Sequence, residues 1–306
     1  MGQTPQDSGL RAGLRAYGAL ALAIGGVTWS AIFVRWAETP GAVSAFYRVS
    51  IAAAVLIPWR LAVTPPPRDS VSVSDRRRAQ RIAFASGVFF ALDLALWNTA
   101  VMRTHAAVAS LLGNLTPVFV ALLSWMILAR RPSRAFWVGL SLSLIGCVLI
   151  VSAHLDGTTG AGALSGDALA IAACFFFAAY LLATERVRSA IDTLSFNTLA
   201  ILGSLVTLTT ICLALGLPLT VPSWRSWMAL AGLGLISQLA AYYALVYALG
   251  HLPATVTSVS LLAQVPGTAL LGMLLLGEPL SHIQLAGGAI VLAGIYVVNT
   301  FDKHEP

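Results

Sequence analysis

"SWMALAGLGLISQLAAYYALVYALGHLPATVTSVSLLAQVPGTALLGMLLLG", residues 226–277, contains no Asp, Glu, Lys or Arg. A helix that crosses a bilayer needs about 20 mostly apolar residues. This run is long enough for two, and "GHLPAT" (250–255) supplies the turn between them. The rest of the sequence decides whether the bilayer is its solvent.

Residues 106–129, 135–155, 168–184 and 193–224 are also free of charged side chains. Over the whole chain 58% of residues are hydrophobic and 10% charged, with mean hydropathy +0.84. A soluble domain carries about 25% charged residues. With so few charges it would expose large apolar patches to water. The pattern predicts an all-α integral membrane protein of ten helices, near 17–34, 41–58, 82–102, 106–128, 135–153, 167–184, 195–215, 225–249, 254–276 and 283–300. Residues 1–16 and the basic stretch 60–81 read as loops, and the first apolar run reads as a retained span rather than a cleaved signal. Cys147, Cys174 and Cys212 all fall in apolar runs, with neither metal-ligand nor disulfide spacing.

The net charge of +6 is unevenly placed. With the N-terminus in the cytoplasm, Arg11, Arg15, Arg60, Arg68, Arg76, Arg77, Arg78, Arg81, Arg130, Arg131, Arg134, Arg186, Arg188 and Lys303 are inside. Only Arg35, Arg103 and Arg225 are outside, and Arg48 lies within a predicted helix. The positive-inside rule therefore puts both termini in the cytoplasm. The expected location is a bacterial cytoplasmic (inner) membrane. The Arg76–Arg78 cluster reads as a retention signal or an anionic-lipid contact, not as a nucleic-acid site.

A shift of 148 residues lays 106–150 on 254–298 with 11 identities in 45 positions, Gly139/Gly287 and Gly146/Gly294 among them. The same shift lays the first predicted helix on the sixth and the fifth on the tenth. Five helices is an odd number, so the second copy is inverted. Residues 17–153 and 166–300 are the expected repeats, an architecture of secondary transporters with a site near the midplane.

Four stretches carry a family resemblance: "TWSAIFVRW" (28–36), "AFYR" (45–48), "ALDLALWNTAVMRTHAAVASLLGNLTPVFVALLSWMILARRP" (91–132) and "LLAQVPGTALLGMLLLGEPLSHIQLAGGAIVLAGIYVV" (261–298). Together they resemble the EamA family of the drug/metabolite transporter superfamily, from about residue 17 to 300. The resemblance implies a ten-helix inverted-repeat carrier of small metabolites, often an exporter of amino acids or related solutes. The family often has a Gly-Glu pair after each proline-containing helix. Here Gly277–Glu278 fits, but the first half has Ala129–Arg130.

Asp93 is the one acid well inside a predicted span, about 13 Å from its outer end at 1.5 Å per residue, and Arg48 is about 10 Å deep. Charges at that depth face a cavity or each other. Either Arg48 attracts a substrate carboxylate while Asp93 exchanges a coupling proton, or the two form a fixed pair that orients helices. Trp97 shares the face of Asp93 one turn on, with Asn98 beside it. Ser110, Asn114 and Pro117 form one polar stripe. Ser260, Gln264 and Thr268, beside Pro266, form its counterpart. Trp29, with Thr28 and Ser30, and the pair Gln238 and Tyr242, with Tyr243, interrupt other apolar runs. Arg48, Trp97, Asn98, Asn114, Gln238, Tyr242, Gln264 and Trp29 are thus candidate cavity residues, open equally to plain helix packing. Trp36, Trp59, Trp137 and Trp224 fall at span ends, where tryptophan anchors.

The rival classes are an intramembrane enzyme and a channel. HExxH, GxSxG and an acidic cluster are absent from the spans, and no GxxxxGK[ST] loop exists to power transport. His105 and His251 lie in short loops without obvious metal partners. The expected partners are a small-molecule substrate and the bilayer, with no cofactor, no metal and no nucleic acid.

Overall fold

The computed structural model describes residues 5–63, 71–103, 112–152, 163–276 and 281–301. Ten helical spans run through them. α1 is Pro5–Thr28 continued by Ser30–Ala37. α2 is Gly41–Ala62, α3 Val73–Arg103, α4 Thr116–Leu128 and α5 Arg134–Ser152. α6 is Ala163–Val187 and α7 Thr193–Ala214. α8 joins Trp224–Gly232, a π-helical Leu233–Ala240 and Ala241–Leu249. α9 joins Ala254–Ser260, a 3₁₀ turn Leu261–Ala263 and Gln264–Leu276, and α10 is His282–Phe301. Among the described residues nine of these are long and apolar enough to cross a membrane, and α4 is a shorter apolar helix.

The helices divide by the apolar surface they share. α1, α2, α3, α6, α7 and α8 supply most of one large cluster that includes Leu20, Val49, Phe90, Leu181, Phe196 and Leu245, and Val120 of α4 joins it with Ala254 and Leu261 of α9. α4, α5, α9 and α10 bury a second, around Phe136, Leu140, Val259 and Val291. A third, smaller cluster joins the ends of α1 and α8 through Phe33, Leu230 and Leu233.

The inverted repeat is visible where α5 meets α10. A β-carbon on Gly139 would come within 2.5 Å of the Gly294 carbonyl oxygen, and one on Gly146 within 2.5 Å of the Gly287 oxygen. By the 148-residue shift Gly139 corresponds to Gly287 and Gly146 to Gly294. Each glycine therefore faces the equivalent of its neighbour, as an antiparallel pair related by a twofold axis must. Between them Ser143 Oγ donates to the carbonyl of Val291, its own equivalent, at 3.3 Å.

Several expectations are corrected. The N-terminal stretch is helical from Pro5, well before residue 17. α3 starts at Val73, nine residues before the expected 82. Ser72 makes this possible: its Oγ accepts from the Asp75 N–H at 3.1 Å and donates to the Asp75 carboxylate at 2.7 Å, which caps the new first turn. The expected continuous stripe on the fourth helix is broken, because Asn114 and Leu115 form a turn before α4 begins at Thr116. Pro117 then occupies the first turn, where its missing N–H costs nothing. Ser110, His105, Arg68, Lys303 and the pair Gly277–Glu278 lie outside the described residues.

Arg188 was expected as a loop cation but is buried, 5% exposed. It donates to the carbonyls of Val246 and Ile191 and to Thr193 Oγ1, fastening the α6–α7 connection to α8. Next to it, Asp192 caps α7 by accepting from the Ser195 N–H at 2.9 Å. Burial opposes the charge on Asp192, but the Ser195 bonds and the Arg188 field outweigh it and hold the carboxyl below its usual range.

Candidate functional site

The wide turn of α8 sets the first half of the site. Gly234 in this π-segment has no side chain, and a β-carbon there would sit 2.6 Å from Ile51 of α2. The close approach puts Arg48 of α2 against Ser237 and Gln238. A π-turn leaves carbonyls out of the α ladder, and such turns recur at functional sites.

Arg48 is 6% exposed. Its Nε donates to Gln238 Oε1 at 2.6 Å, Nη1 to Ser30 Oγ at 3.2 Å, and Nη2 to the Ser237 carbonyl at 3.4 Å. The guanidinium carbon lies 5.3 Å from the ring centre of Tyr242 and 5.9 Å from that of Phe90. These two rings lie 4.7 Å apart, and Tyr180 closes the group at 5.1 Å from Phe90. The i, i+4 spacing of Gln238 and Tyr242 thus brings both onto one cation. Ser30 reaches it because α1 is interrupted at Trp29.

Asp93 is placed differently. It is half-buried on α3, within electrostatic reach of Arg48, Tyr242 and Cys174. Among the described residues, no ion pair within 4 Å and no hydrogen bond engages its carboxylate. The cation that sequence offers as its partner is held by α8 instead.

One turn along α3, Trp97 lays its indole nitrogen against Gly113, 3.2 Å from where a β-carbon would be. Cys174 Sγ of α6 reaches the Leu112 and Gly113 carbonyls at 3.0 and 3.3 Å. Asn114 follows in the turn. It is 5% exposed, and its Nδ2 is a buried donor without a partner. Such a group costs about 1–3 kcal/mol unless something pairs with it. Hydrogen-bonding capacity is therefore open at two places: an acceptor at Asp93 on α3, and a donor at Asn114 at the head of α4.

The remaining candidates go elsewhere. Asn98 donates from Nδ2 to the Gly41 carbonyl at 2.7 Å and so ties α3 to the start of α2. Trp29 stacks on Phe33 at 5.6 Å in the third apolar cluster. Gln264 is half-buried just after the 3₁₀ turn, with no hydrogen bond to its amide among the described residues. That turn, Leu261–Ala263, is the 148-shifted equivalent of Gly113–Leu115, so both repeats break their fourth helix at the same place. Thr268 extends the contact by donating to the Thr28 carbonyl at 3.4 Å. Ser237 and Phe90 escaped the sequence reading. The serine is next to the flagged Gln238, but nothing in the sequence marks a π-turn.

A family model described as the EamA-like transporter family matches residues 16–152 and 164–300. The chain is 27% identical over 229 residues to the uncharacterized transporter YwfM of Bacillus subtilis (strain 168), covering 73% of this chain and 75% of the relative. It is 27% identical over 267 residues to an uncharacterized transporter of Archaeoglobus fulgidus, covering 85% and 88%. A solved crystal structure superposes with TM-score 0.74 over 96% of this chain and 99% of its own, at 19% identity, a likeness of fold alone. The family match takes in both halves of the molecule, including the helices that carry Arg48, Asp93 and Asn114, and the chain belongs to the EamA-like transporter family.

Proposed function

We propose that the protein is a secondary active transporter that moves a small metabolite by alternating access, with Asp93 as its coupling site. The carrying observation is the unpaired Asp93 carboxylate. A charge at that depth is tolerated when it serves a pathway or a partner, and here the nearby cation is already engaged by Gln238, Ser30 and Ser237. Asp93 is free to exchange a proton, and Trp97, one turn along α3, and Asn114, at the head of α4, are the groups we assign to the solute.

The solute we favour is an amino acid or related metabolite, moved outward, in a bacterial cytoplasmic membrane with both termini inside. Transport rather than catalysis is the reading that family membership supports. The supporting sequence features are the missing nucleotide-binding loop, which leaves a gradient or exchange as the energy source, and the basic residues gathered on one side.

The test is uptake of a labelled amino-acid and metabolite panel into proteoliposomes, with and without a pH gradient, for wild type and Asp93→Asn. Gradient-driven accumulation is expected to disappear in the variant while exchange survives. Unchanged accumulation in a folded variant would remove Asp93 from coupling.

A further inference from the structure

The helical extension at the start of α3 has a purpose to find. Residues 73–81 could have remained loop. Instead Ser72 and Asp75 cap them into a helix, and the helix sorts its side chains. Ala79 and Ala83 turn inward, 4% and 0% exposed, while Arg77, Gln80, Arg81 and Phe84 turn outward. Those four are spaced i, i+3, i+4 and i+7, one continuous face. Together they line a recess of about 340 Å³.

The chemistry of that recess runs in a definite order. At the end nearest water are two guanidiniums one turn apart, neither joined to an acid among the described residues. Gln80 lines the recess with them. About 4.5 Å further along the axis than Arg81, at 1.5 Å per residue, is the Phe84 ring, in the apolar part of the span and 40% exposed. Planar guanidinium forks match phosphate oxygens in pairs, as a lysine ammonium cannot. A ligand that fits has a phosphate at one end and hydrocarbon at the other.

We infer that this face of α3 binds the headgroup of an anionic phospholipid, with Arg77 and Arg81 on the phosphate and Phe84 against the glycerol and upper acyl chain. A soluble phosphate would satisfy the arginines but leave Phe84 without a role. The positive-inside rule accounts for basic residues somewhere on this flank, but not for their placement on one capped helical face above an aromatic ring.

Native mass spectrometry of the purified full chain tests this, with phosphatidylglycerol and phosphatidylcholine titrated into detergent. Each guanidinium removed takes a charged hydrogen bond from the phosphate, so Arg77→Gln with Arg81→Gln should weaken phosphatidylglycerol binding by at least about 10-fold. Phosphatidylcholine binding should not move. Phe84→Ala should weaken phosphatidylglycerol less, and glycerol phosphate should compete poorly. Arg131→Gln with Arg134→Gln removes the same charge from the α4–α5 connection and the start of α5, and should leave binding near wild type. The inference fails if the α3 pair retains wild-type binding, if the control pair loses as much, or if glycerol phosphate competes as well as the lipid. Should the α3 glutamine pair unfold, Arg77→Lys with Arg81→Lys decides: weakened binding at unchanged charge supports the forks, and unchanged binding overturns them.

Discussion

Ala129 shows what a single residue reveals when its repeat equivalent is known. It ends α4 at φ 55°, in the left-handed region, while the Arg130 N–H reaches back to the Ser124 carbonyl. A side chain there costs about 1–2 kcal/mol, which is why glycine usually closes helices this way. The residue at the 148-shifted position is Gly277, the residue type such a backbone favours. Ala129→Gly should therefore stabilise the protein by about 0.5–1 kcal/mol, the relieved strain less the extra freedom of glycine in the unfolded chain. Thermal unfolding in detergent reads this directly, and a lower midpoint would show that the Ala129 methyl matters more than its φ. Individual residues were unevenly legible. Asp93 and Arg48 announce themselves as charges in apolar sequence, and Gln238 and Tyr242 by their spacing. That Arg48 belongs to Gln238 rather than to Asp93 was not legible, because it depends on how closely α2 approaches a π-turn.

The spans as elements were legible from hydropathy, since charge-free runs of the right length have few alternatives in a bilayer. Their interruptions were not. The start of α3 was hidden because arginines read as loop, although "SVSD" at 72–75 carries the Ser-x-x-acid spacing of a helix start. The break at Trp29 and the π-segment of α8 have no such signature. The glycines of α5 and α10 were legible in position and repeat, and the structure adds whom they face. That gives them measurable weight. A β-carbon on Gly146 would lie 2.5 Å from the Gly287 oxygen and 2.7 Å from the Val291 nitrogen. Backbone cannot yield as a side-chain tip can, so Gly146→Ala must push the two helices apart, costing about 1–3 kcal/mol as overpacked sites do. Gly18 on α1 is the control, with nothing within 4 Å of its would-be β-carbon. Gly18→Ala should leave stability unchanged or raise it by up to about 1 kcal/mol. Equal melting temperatures for the two variants would mean that α5 and α10 are not held at glycine distance.

At the scale of the molecule, an ion pair ties the two halves at one end, and a carrier that works as proposed would have to break it. Arg130, just after α4, places Nη1 2.5 Å from Glu185 Oε1 near the end of α6. The other oxygen of that carboxylate accepts from the Ala254 N–H at 3.0 Å, on the first turn of α9. A carboxylate is well placed on a helix N-terminus, where unpaired N–H groups and the dipole both favour it. One side chain thus connects the first half to two helices of the second. Arg130 is 54% exposed, so its ion pair contributes only about 0–1 kcal/mol and can open at little cost. Replacing it with a covalent link should not be so forgiving. In Arg130→Cys with Glu185→Cys, a short bis-methanethiosulfonate linker joins the two positions through reducible disulfides, each formed with loss of methanesulfinate, and Cys147, Cys174 and Cys212 do not compete because all three are buried. The unlinked double variant should transport. The linked protein should stay folded yet show no net flux in proteoliposomes, and reduction should restore it. Full flux through the linked protein would mean that α4 and α6 do not separate at this end, and the moving parts would have to be sought across α1 and α8 instead.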